Sequence, residues 1–266
     1  MEQVATGSRR ITYDARGLAE PDAEAPRTAQ IDDDGTASFD AADLSTRQIN
    51  LELRRLIYEE GIRDVTVQNP GAKHSIGVGI LQRCRITFEG SLGYFGVGLI
   101  DGPEVHITGR VGWSVAENMM SGVVVIEKVA GSLAGAAIRG GDLVVKGSVG
   151  ARTGIDQKGG TIIVGGDAGT MTAFMMQRGR QIICGDVGPG LGDSMYDGEI
   201  YVGGTVRSLG IDCVEAEMTE ADEEMIDRKF GIYGLDRPDG FRKYVCGKVL
   251  YNYDNLEPSE KKLVIH

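Results

Sequence analysis

The chain has 266 residues, with 28 basic against 39 acidic side chains and a formal charge of −11. This length can bury a large core, and the acid excess without any basic run argues against a nucleic-acid partner, because phosphate binding needs a basic surface. No apolar stretch approaches the roughly 18 residues of a membrane span and the N-terminus lacks a signal-peptide core, so the expectations are no membrane partner and a cytoplasmic location. The four cysteines, Cys84, Cys184, Cys213 and Cys246, show no C-x-x-C spacing and read as reduced, buried thiols. Glycine, at 40 residues, is roughly twice its average frequency, and a repeat accounts for most of the excess.

Residues 1–42 read as an arm or linker, with a short strand pattern at Arg10 to Asp14 and a solvated turn at Asp32-Asp33-Asp34-Gly35. That acidic run lacks the alternating ligands and distant Glu of a calcium loop. Residues 43–84 hold a helix, a strand and a degenerate coil. The helix is expected from about Thr46 to Glu60: Ser45 caps it, Gln48 completes a capping box, Ile49, Leu53, Leu56 and Ile57 recur at helical spacing, and Gly61 stops it. One face is apolar, so the helix must dock. Ile62 to Gln68 reads as a strand, Asn69-Pro70-Gly71 as a turn, and Ala72 to Gly79 as an irregular coil.

From Arg85 to Glu217 a 19-residue unit repeats seven times without insertion, starting at Arg85, Glu104, Val123, Asp142, Thr161, Arg180 and Glu199. Each copy opens on a β-type run and reaches a glycine corner such as Gly90/Gly93 or Gly109/Gly112. The second and fourth positions (Ile86/Phe88, Val105/Ile107, Val124/Ile126, Leu143/Val145, Ile162/Val164, Ile200/Val202) alternate as the inward face of a strand. The eighth position supplies a second inward ladder that includes Leu92, Val111 and Val149. The fold expected is all-β: a right-handed, single-stranded parallel β-helix of about seven coils with short flanking helices.

The third position points outward yet holds Val125, Val144, Ile163 and Ile182 in the middle copies, bounded by Thr87, His106 and Tyr201. An outward apolar stripe needs a cover, either the chain's own helix or C-terminal segment or a partner subunit, which makes these four the candidate interface residues. Residues 218–266 follow as a capping helix and tail. The helix is expected over Thr219 to Lys229 with Met225, Ile226 and Phe230 on one side, followed by a strand from Lys243 to Tyr251 and a Leu-Val-Ile end.

No catalytic constellation stands out. Neither His106 nor His266 has a second ligand at zinc spacing, and the G-x-S-x-G elbow, P-loop and G-x-G-x-x-G are absent, so no catalytic or metal residue is expected. The glycine-flanked segment with Asn69, Lys73 and His74 is the candidate functional segment. Gly188-Pro-Gly190-Leu-Gly192 falls on the repeat's corner, which makes it a tight turn rather than a phosphate loop. Met119, Met176 and Met195 share one repeat position and read as core filler.

The seven copies, the G-x-x-G corners and the literal Gly188-x-Gly190-x-Gly192 together resemble the GXGXG β-helix module. That module is the C-terminal domain of the glutamate synthase large subunit, and a more distant resemblance is to the β-helix subunit of formylmethanofuran dehydrogenase. The lead-in from Asp43 through Asn69-Pro-Gly71 to Gly79 resembles the free-standing GXGXG subunits, with the one in N-methylglutamate synthase as the nearest type. The resemblance implies a non-catalytic or site-completing subunit. It also implies an amidotransferase-like partner and an FMN-binding synthase partner. The cofactor would be FMN, alone or with an iron–sulfur cluster, in the partner rather than in this chain. Other readings are a scaffold in a one-carbon formyl-transfer complex, a self-sufficient solenoid enzyme acting on a polysaccharide, and a stand-alone solenoid binding protein.

Overall fold

The computed structural model describes residues 25–247. The strand expected at Arg10 to Asp14, the Leu263-Val264-Ile265 end and His266 lie outside them. Chain order is β1 (Gln30–Ile31), β2 (Thr36–Asp40), α1 (Thr46–Arg54), a π turn (Arg55–Glu59), β3 (Asp64–Gln68), β4 (Arg85–Glu89), β5 (Asp101–Ile107) and β6 (Ser121–Ile126). Then come β7 (Asp142–Val145), β8 (Lys158–Val164), β9 (Arg178–Ile183), β10 (Val187–Leu191), β11 (Glu199–Val202), β12 (Val206–Leu209), β13 (Cys213–Ala216), α2 (Glu220–Tyr233) and β14 (Arg242–Cys246).

The strands β2 to β9 and then β11 stack in parallel, each pairing with the next copy of itself, so the chain is a parallel β-solenoid. The register is the repeat's own: Ile86 lies opposite Val105, Val105 opposite Val124 and Val124 opposite Leu143. Inward residues such as Ile86, Phe88, Ile107 and Val124 are fully buried, as the alternation requires. The eighth-position ladder is also present, as bridges from Leu92 through Val111 and Ala130 to Val149. The array starts earlier than the repeat does. Strand β2 is its first rung, with Ala37 and Phe39 buried, so Thr36–Asp40 belongs to the solenoid and not to an arm.

A third leg has no strand character in the coils before β10. Its residues alternate into the left-handed region, at Phe95, Val97 and Leu99 in one coil and Ser114, Ala116 and Asn118 in the next. Their N–H groups alternate in direction: Phe95 donates forward to the Trp113 carbonyl at 2.7 Å, Val97 back to Ile76 at 2.8 Å and Leu99 forward to Glu117 at 2.8 Å. A left-handed non-glycine residue costs about 1–2 kcal/mol, and these bonds to both neighbouring coils offset it. Gly190 and Gly192 occupy the same leg with φ of 79° and 64°. Inward from it, Ile100, Met119, Ile138, Met176 and Met195 are fully buried, which confirms the methionines as core.

The first helix closes the N-terminal end. It has the expected capping box at Ser45 and Gln48, buries Ile49, Leu53, Leu56 and Ile57, and ends in the π turn before Gly61. Asn50, Arg54 and Tyr58, spaced four apart, face the first coil. Asn50 donates Nδ2 to the Ser75 carbonyl and accepts from the Gly77 N–H, each at 2.8 Å, and the Tyr58 hydroxyl accepts from the Leu81 N–H at 2.7 Å. Backbone groups that an inner coil would bond to a neighbour are here bonded to helix side chains. Glu52, fully buried on the same helix, holds Arg55 and the backbone N–H groups of Arg27 and Ala29.

Candidate functional site

The outward stripe has an internal cover. Val144, Ile163 and Ile182 are fully buried against Ile226 and Phe230 of α2 and against Phe241, while Val125 is half-buried at the rim. These four candidate interface residues are therefore occupied by the chain itself, because the apolar side of α2 lies along them. The stripe also runs one coil further than the sequence pattern set it, since the Tyr201 ring is fully buried in the same cluster. The helix runs back along the solenoid: Asp222 near its start meets the last coil, and Lys229 and Tyr233 meet Asp142. About 16 Å of helix axis separates Asp222 from Tyr233, matching three coil steps of about 4.8 Å.

Polar groups fix both ends of this cover. The Tyr201 hydroxyl donates to Asp222 Oδ1 at 2.6 Å, and Lys243 Nζ reaches Asp222 Oδ2 at 2.9 Å and Glu199 Oε1 at 2.8 Å. Burial opposes ionisation of Asp222, but the hydrogen bonds from Tyr201, Lys243 and the Thr219 cap outweigh it and hold the carboxyl well below the usual range. Burial, then the bond to Asp222, pushes the Tyr201 phenol far up. At the other end Lys229 Nζ donates to Asp142 Oδ1 at 2.8 Å. This cluster resembles a catalytic constellation in composition, yet it is buried beneath the helix and serves as its anchor.

The lead-in segment divides into structural and exposed parts. Asn69 takes a φ of 51° and donates Nδ2 to Asp40 Oδ1 at 3.2 Å. Lys73 Nζ donates to the carbonyls of Ala41 at 2.8 Å and Ala42 at 3.0 Å, so it ties the β2–α1 connection to the first coil. His74 remains on the surface. Its Nδ1 accepts from the Tyr94 N–H at 3.1 Å, and its ring lies 4.4 Å from that of Tyr94 at a tilt of 45°. The next coil places Trp113 at the position of Tyr94, and the two are 65% and 51% exposed.

Glycines make room for these rings. A Cβ on Gly93 would stand 2.1 Å from His74 Nδ1, and one on Gly131 would stand 2.5 Å from Trp113 Cδ1. The His74 and Trp113 rings are thus seated over glycine corners and yet solvent-exposed, an arrangement typical of aromatic anchors in protein interfaces. The sequence carried a usable signal for this corner, because Tyr94 and the chain's one tryptophan are 19 residues apart in a 19-residue repeat.

No family model matches the chain. The curated Protein GlxC of Rhizobium meliloti (strain 1021) is 45% identical over 221 residues, covering 81% of this chain and 96% of that relative. The chain belongs to the GlxC family. The length shared within the GlxC family exceeds the 133 residues of seven 19-residue copies, so the likeness extends beyond the repeat into the flanking elements.

Two open grooves line the edge where the chain enters each strand. One, of about 670 Å³, is bordered by Arg63, Arg83, Arg85, Asp64 and Glu104; the other, of about 570 Å³, by Gly160, Arg178, Gly179, Arg180 and Glu199. Each groove holds an ion pair, Arg85–Asp64 in one and Arg180–Glu199 in the other, each at 2.9 Å. Neither has an aromatic wall against which a flavin ring could lie. Among the described residues no group of three His, Cys, Asp or Glu side chains is placed to hold a metal ion, and no helix is long and apolar enough to cross a membrane.

Proposed function

We propose that this GlxC-family chain is the solenoid subunit of a glutamate synthase-like, FMN-dependent multi-subunit enzyme that transfers an amino or methylamino group with glutamate or glutamine. The chain is non-catalytic or completes a site formed by others, and an amidotransferase-like subunit and an FMN-binding synthase subunit carry the chemistry. The GXGXG-like repeat supports this reading at the level of family resemblance. The observation that carries it is the pairing of a self-capped solenoid with two exposed aromatic rings, Tyr94 and Trp113, at the same corner of neighbouring coils. In this reading the partner docks at that corner, and the covered outward stripe supports the choice over the stripe itself.

The test is affinity capture of the full chain from its native lysate, reading flavin absorbance and partner masses in the eluate. The expected result is co-elution of a flavoprotein and an amidotransferase-like chain. Trp113→Ala combined with Tyr94→Ala should reduce that recovery at least about tenfold with an unchanged circular dichroism spectrum, in line with loss of two aromatic anchors. A chain that elutes alone and catalyses a transfer by itself would overturn the proposal.

A further inference from the structure

Strand β14 closes the last coil. It runs antiparallel to β11 on one side and to β13 on the other, and the second pairing sets Cys246 opposite Cys213. In the same register Gly247 faces Asp212, and the Gly247 N–H donates to the Asp212 carbonyl at 2.7 Å. That marks Asp212/Gly247 as a hydrogen-bonded pair, so the adjoining Cys213/Cys246 is a non-hydrogen-bonded one. At such a position opposed Cα atoms lie about 4.5 Å apart with both side chains on one face. Disulfides span Cα separations of about 4.4–6.8 Å, so the backbone is already suited to a bond.

The sulfur environment agrees with the register. Cys246 Sγ lies 3.2 Å from the Met195 carbonyl oxygen. Cys213 Sγ and Met195 Sδ both crowd Gly192, at 2.8 Å and 3.0 Å from where a Cβ on it would stand. Both cysteines therefore converge on the same turn of the sixth copy, and both pack on the core there. Cys84 and Cys184 have no cysteine opposite them in the sheet.

We propose that Cys213 and Cys246 form an oxidisable dithiol site that closes to a cross-strand disulfide, with a small disulfide such as oxidised glutathione as electron acceptor. Cys246, the more exposed of the two, gives its proton to solvent, and its thiolate attacks the small disulfide. A mixed disulfide forms on Cys246, and the first small thiolate leaves and is protonated. Cys213 then gives up its proton and attacks the Cys246 sulfur, forming the cross-strand bond and expelling the second small thiolate, which is protonated in turn. Two protein thiols are oxidised and one small disulfide is reduced to two thiols. Burial, with Cys246 adding to it, pushes the Cys213 thiol up to about 12, which disfavours it in the first step, and its register opposite Cys246 places it for the second. The crosslink would fasten β14 to β13 and close the segment that carries α2, so the cover over the outward stripe could no longer peel from its end. The proposal is independent of the enzyme assignment above.

The full chain should be equilibrated in glutathione buffers from fully reducing to fully oxidising, then trapped by alkylation for peptide mapping, with Tm measured in parallel. The expected result is a Cys213–Cys246 linked peptide, an intact mass lower by two hydrogen atoms, and a Tm rise of about 5–10 °C reversed by dithiothreitol. Cys246→Ser should abolish the link and the rise, and the double variant Cys84→Ser, Cys184→Ser should keep both. A folded chain with no link at the oxidising limit, a link through Cys84 or Cys184, or a glutathione adduct on Cys246 that never resolves would overturn it.

Discussion

At its N-terminal end the solenoid is closed by a helix whose side chains take the place of a missing coil, whereas at its C-terminal end antiparallel strands supply backbone bonds directly and a second helix lies along the outside. The first solution bonds Asn50 and Tyr58 to the backbone of the first coil. The second covers the edge of β11 with β14 and then uses Lys243 on that strand to hold Asp222 of α2. A parallel sheet must end somewhere, and an unpaired edge invites association. Here the ends are closed locally at one side and by a long-range return of the chain at the other, while the aromatic corner on the flank stays exposed.

The largest effect should come from breaking the long-range closure. Asp222→Ala leaves the buried Tyr201 hydroxyl without its acceptor and Lys243 with Glu199 alone, and should cost about 3 kcal/mol of stability in urea titration. A loss below about 1 kcal/mol would mean that apolar contact alone holds α2, since that is the range of an exposed ion pair. The same carboxyl sets a pH signature. Its folded pKa is depressed, so its contribution is fully present above the unfolded value of about 3.9 and is lost as pH falls through the lower folded value. Asp222→Asn should flatten that acid limb, measured as the pH dependence of the urea midpoint.

An intermediate effect is expected at the other end. Asn50→Ala leaves the Ser75 carbonyl and Gly77 N–H unpaired and should cost about 1–3 kcal/mol. Hydrogen exchange should localise the loss to residues 72–81, with protection near α2 unchanged. The smallest effect tests the symmetry of the two helices, which both start with a capping box, at Ser45 with Gln48 and at Thr219 with Asp222. Ser45→Ala and Thr219→Ala should each cost about 1 kcal/mol by denaturant midpoint. Thr219→Ala should cost more if the cap also positions Asp222 for Lys243.

Much of the fold is legible because the repeat states it seven times. Alternation of Ile86/Phe88 and its copies defines which side of the strand faces inward, and one shared period fixes the register between coils. The irregular first rung was harder to see, because 28 residues separate Thr36 from its partner Asp64 and α1 intervenes. The candidate site was legible only in part. His74 sits at the aromatic corner, but Lys73 and Asn69, its sequence neighbours, serve the backbone. Gln181 breaks the apolar inward ladder in the sixth copy, and its Nε2 meets Gln157 Oε1 at 3.0 Å within the solenoid, a contact across 24 residues that no local pattern announces.

By itself the sequence determined the solenoid, its coil boundaries, its inward ladders and the existence of two helices that must dock, because each follows from a period or a cap within one or two turns of chain. Only the tertiary structure decided which surface those helices cover. The stripe of Val144, Ile163 and Ile182 is apolar whether a partner or the chain's own α2 lies on it, and burial energy does not distinguish the two. The choice depends on the path from the last coil back over 87 residues to Asp142, set by Lys229 and by the Lys243–Asp222–Tyr201 anchor. Once that return closes the outward face, the exposed surface is redefined, and Tyr94 and Trp113 stay on it while the stripe does not.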